Sequence, residues 1–141
     1  MENCIFCRIA AGEADAYKIY EDKDYVAILD IAPYVEGQTV VIRKKHLDSS
    51  IFNNSDAEIK KIMIVSKKVA RLLEKAFKPE RVCLVFEGKG VPHLHAKLYP
   101  VHKTARESDA EYITPMGYHV SKRKLELIYN RILSKNRSNN K

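Results

Sequence analysis

The chain has 141 residues, 45% of them hydrophobic, with 25 Lys and Arg against 18 Asp and Glu and a formal charge of +7. A single domain of this length buries roughly two thirds of its unfolded surface, no run approaches the about 18 uninterrupted apolar residues of a membrane span, and the opening Met1-Glu-Asn-Cys4 lacks the basic-then-apolar layout of a signal peptide. The sequence therefore reads as soluble and cytoplasmic, and although the charge excess suggests a nucleic-acid partner, its placement argues otherwise: from residue 120 onward there are seven basic residues and one acid, the pattern of a solvated helix face and tail.

Three cysteines, two of them spaced Cys4-x-x-Cys7, do not make an ordinary disulfide framework; such a pair in a reducing compartment is metal-binding or redox-active. Residues 17–21 and 25–31 read as short strands split by the turn-rich Glu21-Asp-Lys-Asp24, which predicts a hairpin. Pro33 and Gly37 break the pattern before a third strand over 38–43. Ser55-Asp-Ala-Glu58 has the form of a capping box, with both side chains satisfying amides at a helix start. The helical recurrence of Ile59, Ile62, Met63, Val69, Leu72, Leu73 and Phe77 then predicts the main core helix, ended before Pro79. A fourth strand is predicted over 81–86, with Cys83 as an inert core residue, then a glycine loop at 88–90 and a fifth strand over 93–99. Residues 101–119 read as irregular. Leu125, Ile128, Tyr129 and Ile132 share one face of a helix predicted over 121–133, and the end frays from Ser134. The predicted organisation is a domain over 1–119 followed by a basic helix and tail over 120–141.

Side chains alternate in an extended run, so His93, His95, Lys97 and Tyr99 share one face while Leu94, Ala96 and Leu98 share the other. With the apolar face turned inward, two imidazoles and an ammonium project together at about 7 Å intervals onto a surface beside the glycine loop. Such a row suits a polyanion such as phosphate, or is a polar strand face meeting water. A second constellation is Cys4, Cys7, His46 and His93. Two thiolates and two imidazoles form a closed tetrahedral zinc site of the structural kind; the other reading is a redox pair with unrelated histidines.

Taken in order, Cys4-Ile-Phe-Cys7-Arg-Ile9, Asp30-Ile31-Ala-Pro33, Gly37-Gln38-Thr39-Val-Val-Ile42, Lys44-Lys45-His46 and Val91-Pro-His93-Leu-His95-Ala-Lys97-Leu-Tyr-Pro100 resemble the histidine-triad (HIT) family over roughly residues 3–101. The resemblance implies an α+β, HIT-like fold: an antiparallel sheet of about five strands, one long core helix and a C-terminal helix, assembled as a homodimer. It implies hydrolysis or transfer of nucleoside monophosphate groups through a covalent histidine intermediate, with His95 as nucleophile and a nucleotide, expectedly purine, as substrate. Structural Zn2+ falls to Cys4, Cys7, His46 and His93, as in the metal-containing bacterial members. Asp30 matches the acid that receives the ribose hydroxyls, and Ile5, Phe6, Ile9, Ile28 and Ile31 match the apolar positions around the base.

Departures from the family pattern concern the phosphate end. Its third motif histidine is Lys97 here and the histidine of its usual Gly-His-Thr is Gln38. The preceding loop is altered to Phe86-Glu-Gly-Lys89-Gly90. Lys97, Gln38 and Lys89 are the candidate phosphate ligands, with Lys97 placed to stabilise a leaving oxygen. The leading expectation is an enzyme acting on a phosphoramidate, dinucleoside polyphosphate or nucleotidylated metabolite. The lost imidazoles motivate an alternative, a nucleotide-binding regulatory module with little or no catalysis.

Overall fold

The computed structural model describes residues 3–102 and 120–137. Five strands, β1 (Lys18–Glu21), β2 (Tyr25–Leu29), β3 (Thr39–Arg43), β4 (Arg81–Val85) and β5 (His95–Val101), form one antiparallel sheet in the order β1-β2-β3-β5-β4. Three α-helices are described: α1 (Ile5–Ala11), α2 (Asp56–Phe77) and α3 (Lys122–Arg137). The α+β architecture and its five antiparallel strands agree with the fold implied by the resemblance. Among the described residues no helix is long and apolar enough to cross a membrane.

The sheet has two covered faces. On one, Tyr25, Ala27, Leu29, Val41, Leu94, Ala96 and Leu98 pack with Ile62, Val65, Val69 and Leu73 of α2 and with Ile128 and Ile132 of α3. On the other, Val26, Ile28, Val40 and Ile42 pack with Ile9 and, at the margin, Phe6 of α1. Because both faces are occupied, β2 and β3 are buried at every position and read as continuous apolar runs instead of alternating ones.

Several boundaries differ from the sequence reading, each for a local reason. Helix α1 is not predicted: it has seven residues, no side-chain N-cap and no acid in its first turn, and its one buried residue, Ile9, is held by the sheet. Its stop is the left-handed Gly12, φ 79°. Strand β5 begins two residues later than predicted and runs on to Val101. Pro100 is tolerated because the β3 pairing has run out at Leu98, so its missing N–H faces no strand there. Helix α3 continues through Ser134 to Arg137 where fraying is expected, because it is tied to α2: Arg131 Nε donates to Ala76 O at 3.0 Å and Asn136 Nδ2 donates to Leu72 O at 3.2 Å. The irregular segment predicted over 101–119 lies outside the described residues from 103 onward, as does the tail from 138.

The capping box is half formed. Ser55 Oγ accepts from Glu58 N at 3.3 Å, but the Glu58 carboxylate turns inward, accepting from Arg43 Nε at 2.9 Å and Tyr25 Oη at 3.1 Å. Arg43, 7% exposed, also donates to the Asp24 carboxylate at 3.0 Å and stands over the Tyr25 ring. Burial raises the pKa of Glu58, but the hydrogen bond and charge of Arg43 outweigh it and hold the carboxyl below its ordinary value. Arg43→Met should cost about 2–3 kcal/mol at pH 7 in urea unfolding, below the full penalty for a broken buried pair because Glu58 keeps some solvent. A depressed folded pKa confers stability above the unfolded value that is lost as pH falls through the folded one. The difference between the two proteins should therefore shrink in acid. An undiminished difference at low pH would assign the effect to packing alone.

Candidate active site and metal centre

Helix α1 places Cys4 at its N-cap and Cys7 one turn on, so both sulfurs face the loops that follow β3 and precede β5. Cys4 Sγ lies 3.3 Å and Cys7 Sγ 3.5 Å from His93 Nδ1, and Cys7 Sγ lies 3.3 Å from His46 Nδ1. All four donor atoms fall within 4.8 Å of one another. Around a tetrahedral zinc at roughly 2.3 Å from sulfur and 2.0 Å from nitrogen, donors stand roughly 3.3–3.8 Å apart, so the cluster reaches that geometry with shifts of fractions of an ångström. The second contact of His93 fits too: its Nε2–H donates to Arg43 O, which leaves Nδ1 as the free lone pair directed at the sulfurs. Burial, then the nearby His46 and His95, lowers the His93 pKa and favours the neutral imidazole that a metal needs. Burial and the neighbouring Cys4 sulfur push the Cys7 thiol up, a penalty that a bound cation reverses.

The strand alternation brings the nucleophile candidate onto the same face as this cluster. Leu94, Ala96 and Leu98 enter the core under α2, and His95 and Lys97 point to the opposite side. That side is not the open surface predicted from the spacing. His93 and His95 are 0% and 1% exposed, because Phe6 of the unpredicted α1 sets its ring edge-on against both, at 5.8 and 5.2 Å between centroids.

His95 Nδ1 lies 2.7 Å from His93 O. A carbonyl only accepts, so Nδ1 carries the proton and Nε2 carries the lone pair. Burial lowers the His95 pKa, and the nearby Lys97 charge adds to it. Both favour the neutral ring, with its lone pair on Nε2.

A cavity of about 340 Å³ opens beside it. Ile5, Phe6, Ile9, Ile28 and Ile31 give much of its apolar wall, and Asp15, Asp30, Lys89, His95 and Lys97 its polar groups. Of the predicted catalytic and nucleotide-binding residues only Gln38 is absent from the wall. It is 1% exposed and spans two partners, its Nε2 donating to Asp30 Oδ2 at 2.6 Å and its Oε1 accepting from Tyr34 N at 2.7 Å. Ala32 N donates to the other Asp30 oxygen at 2.9 Å. The carboxylate is oriented from two sides and still has lone pairs to accept two hydroxyls.

Lys97 is not free either. Its Nζ lies 2.8 Å from Glu87 Oε2, and Tyr99 Oη donates to Glu87 Oε1 at 2.8 Å. Sequence reasoning assigns no role to Glu87 or to the Tyr99 hydroxyl. The signal lies in strand register: Val85 pairs with Lys97, so the chain two residues on runs beside His95.

The described residues thus combine an open antiparallel sheet, a His-x-His segment leading into β5, a two-Cys, two-His cluster and a cavity beside a buried imidazole. Residues 11–104 match the HIT domain, and the chain belongs to the HIT family. Protein hit of Bacillus subtilis is 34% identical over 104 residues, 70% of this chain and 71% of that one. A hypothetical histidine triad nucleotide-binding protein of Sulfolobus tokodaii superimposes with a TM-score of 0.78 at 26% identity, covering 96% of this chain and 93% of that chain. A HIT family hydrolase of Legionella pneumophila does so with a TM-score of 0.59 at 30% identity, covering 68% and 90%.

Proposed function

We propose that this chain is a nucleotide hydrolase or nucleotidyl transferase working through a covalent nucleotidyl-histidine. The observation that carries the reading is the His95 tautomer: a buried, neutral imidazole whose Nδ1–H is fixed by a carbonyl and whose Nε2 is free at a nucleoside-sized cavity. The Nε2 lone pair forms a bond to the α-phosphorus as the bond from phosphorus to the leaving group breaks. The leaving group departs with that electron pair and takes a proton from solvent or a neighbouring acid. Water or another acceptor then attacks phosphorus and gives up its proton to solvent as the bond from phosphorus to Nε2 breaks, its electron pair returning to the neutral imidazole. Splitting the displacement suits imidazole, which is both a good nucleophile and a good leaving group on phosphorus.

Ile5, Phe6, Ile9, Ile28 and Ile31 enclose the base, purine in this reading. Asp30, oriented by Gln38, accepts from the ribose hydroxyls, and Lys97 and Lys89 meet the phosphoryl oxygens. Cys4, Cys7, His46 and His93 hold Zn2+, which when bound supplies a structural tie between α1 and the segment leading into β5. A homodimer belongs to the same reading and would show a solution mass twice that of the chain.

The test is product release, followed by mass spectrometry, from nucleoside phosphoramidates, dinucleoside polyphosphates and nucleotidylated metabolites, with His95→Ala in parallel. Turnover lost in the variant supports the mechanism. Nucleoside monophosphate binding without turnover of any of these would instead favour the binding-module alternative. A second expectation concerns the support of Asp30: Gln38→Leu keeps the volume but removes both hydrogen bonds, and should raise KM about tenfold with a smaller change in kcat. A change confined to kcat would count against the ribose role.

A further inference from the structure

Replacing a motif histidine by lysine exchanges a stiff ring with two side-chain torsions for a chain with four, carrying about 2 kcal/mol of rotamer entropy. A lysine left to itself is a poorly aimed ligand for a phosphoryl group. In this structure Lys97 is not left to itself. Its Nζ contacts Glu87 Oε2 at 2.8 Å, with the two side chains 18% and 21% exposed. Glu87 is held in turn at its other oxygen by the hydroxyl of Tyr99, itself 2% exposed, at 2.8 Å. Lys97 and Tyr99 stand two residues apart on the same face of β5, so one carboxylate from the loop after β4 bridges both.

Lys97 lines the cavity with His95, and Glu87 is not among the cavity's lining residues. The acid therefore braces the lysine from its far side. An ammonium has three N–H donors. One goes to Glu87, which leaves others for a ligand in the cavity without breaking the pair. Burial works against ionised Glu87, but the hydrogen bonds from Lys97 and Tyr99 and the lysine charge more than offset it, so the carboxyl stays ionised.

We infer that Glu87 is a positioning residue: clamped by Tyr99, it fixes the Lys97 ammonium at the cavity wall beside His95 as a ligand for phosphoryl oxygens, supplying the rigidity that the lysine lacks. The inference rests on the proposed nucleotidyl transfer for its kinetic form, and on phosphate binding alone for its equilibrium form. Glu87→Gln removes the brace and also a negative charge near the phosphate subsite. These act in opposite directions, which gives the role a signature. Loss of orientation lowers kcat, whereas loss of the negative charge leaves KM unchanged or lower. A structural defect would instead lower stability and raise KM.

The experiment is a double-mutant cycle with Glu87→Gln, Lys97→Met and the double variant. It is read by kcat and KM on a nucleoside phosphoramidate, and by calorimetric Kd for a nucleoside 5′-monophosphate and for the parent nucleoside. Glu87→Gln should lower kcat about tenfold without raising KM, and tighten the monophosphate Kd about threefold while leaving the nucleoside Kd alone. The kcat effect should vanish in the Lys97→Met background, whereas the tightening, which comes from the lost negative charge itself, should persist there. Tyr99→Phe, which keeps the burial, should lower kcat about threefold in the same direction and carries the test if Glu87→Gln fails to fold. A kcat effect of Glu87→Gln that persists with Lys97→Met, or a full kcat in both Glu87→Gln and Tyr99→Phe, would overturn the inference. If the unmodified protein turns over no substrate, the proposed reaction fails by itself. The cycle in monophosphate Kd then decides the inference alone: coupling between positions 87 and 97, a tightening that differs in size between the two backgrounds, supports it, and additivity overturns it.

Discussion

Replacing His95 by alanine should reduce turnover by a factor of about 10⁴ or more while changing nucleoside monophosphate affinity less than about threefold. The asymmetry follows from where the ring sits. Its Nδ1 is committed to His93 O and its flank to Phe6, so it touches a ligand only through Nε2. Base and ribose are met by other residues of the cavity, and their contribution to binding survives the substitution. In the unmodified protein, rapid quench into alkali, which preserves the acid-labile P–N bond, or intact mass after brief exposure to substrate, should show the chain plus one nucleoside monophosphate. The adduct should be absent from His95→Ala. Turnover within tenfold of the unmodified protein would remove the covalent mechanism altogether.

The second large effect is expected at the cysteine pair. Cys4→Ser, or prolonged chelation of the unmodified protein, should remove about one equivalent of zinc per chain and lower the thermal midpoint by about 10 °C, equivalent to about 3 kcal/mol. The cost is less than that of a zinc finger because the core between the sheet, α2 and α3 is built without the cluster. It exceeds that of a surface change because α1 has little else to hold it. The helix is seven residues long, far below the length at which a helix persists alone, and its attachment is Ile9, Phe6 and the two sulfurs. Loss of a bound metal should loosen α1 and with it Phe6 and the wall formed by Ile5 and Ile9. Metal loss should thus also raise KM for nucleotide. Protein purified from metal-replete cells with less than about a tenth of an equivalent of zinc would contradict the four-ligand site.

Much of the site is legible in the sequence because it depends on local rules. Alternation along an extended chain puts His95 and Lys97 opposite Leu94, Ala96 and Leu98, and the structure has that arrangement. The long helix announces itself through Ser55 and its apolar spacing. What escapes is set by contacts distant in sequence. Helix α1 has no start signal of its own, and without it His95 is expected at a surface when it is in fact buried. The inward turn of Glu58 escapes because the capping-box pattern describes one helix end and knows nothing of Arg43 on a neighbouring strand. Gln38 reads as a phosphate ligand from its place in a motif, whereas the structure shows both ends of its amide engaged by Asp30 and Tyr34. Glu87 has no signal until the β4–β5 register is known.

The strand order has a consequence for how the molecule comes to exist. β1, β2 and β3 are consecutive hairpin-connected neighbours, but the place beside β3 is filled by β5, which the ribosome delivers last of the five and which must enter between β3 and β4. Until residue 95 and beyond emerge, β3, apolar at Val40, Val41 and Ile42, presents an unpaired edge, the kind of template on which nascent chains aggregate. The sulfur ligands wait as long, since Cys4 and His93 are 89 positions apart. The strand that closes the sheet is the one that brings His95. An incompletely synthesised chain therefore has neither that edge paired nor the His95 imidazole in place, and the same insertion that ends the risk of misassembly completes the cavity wall.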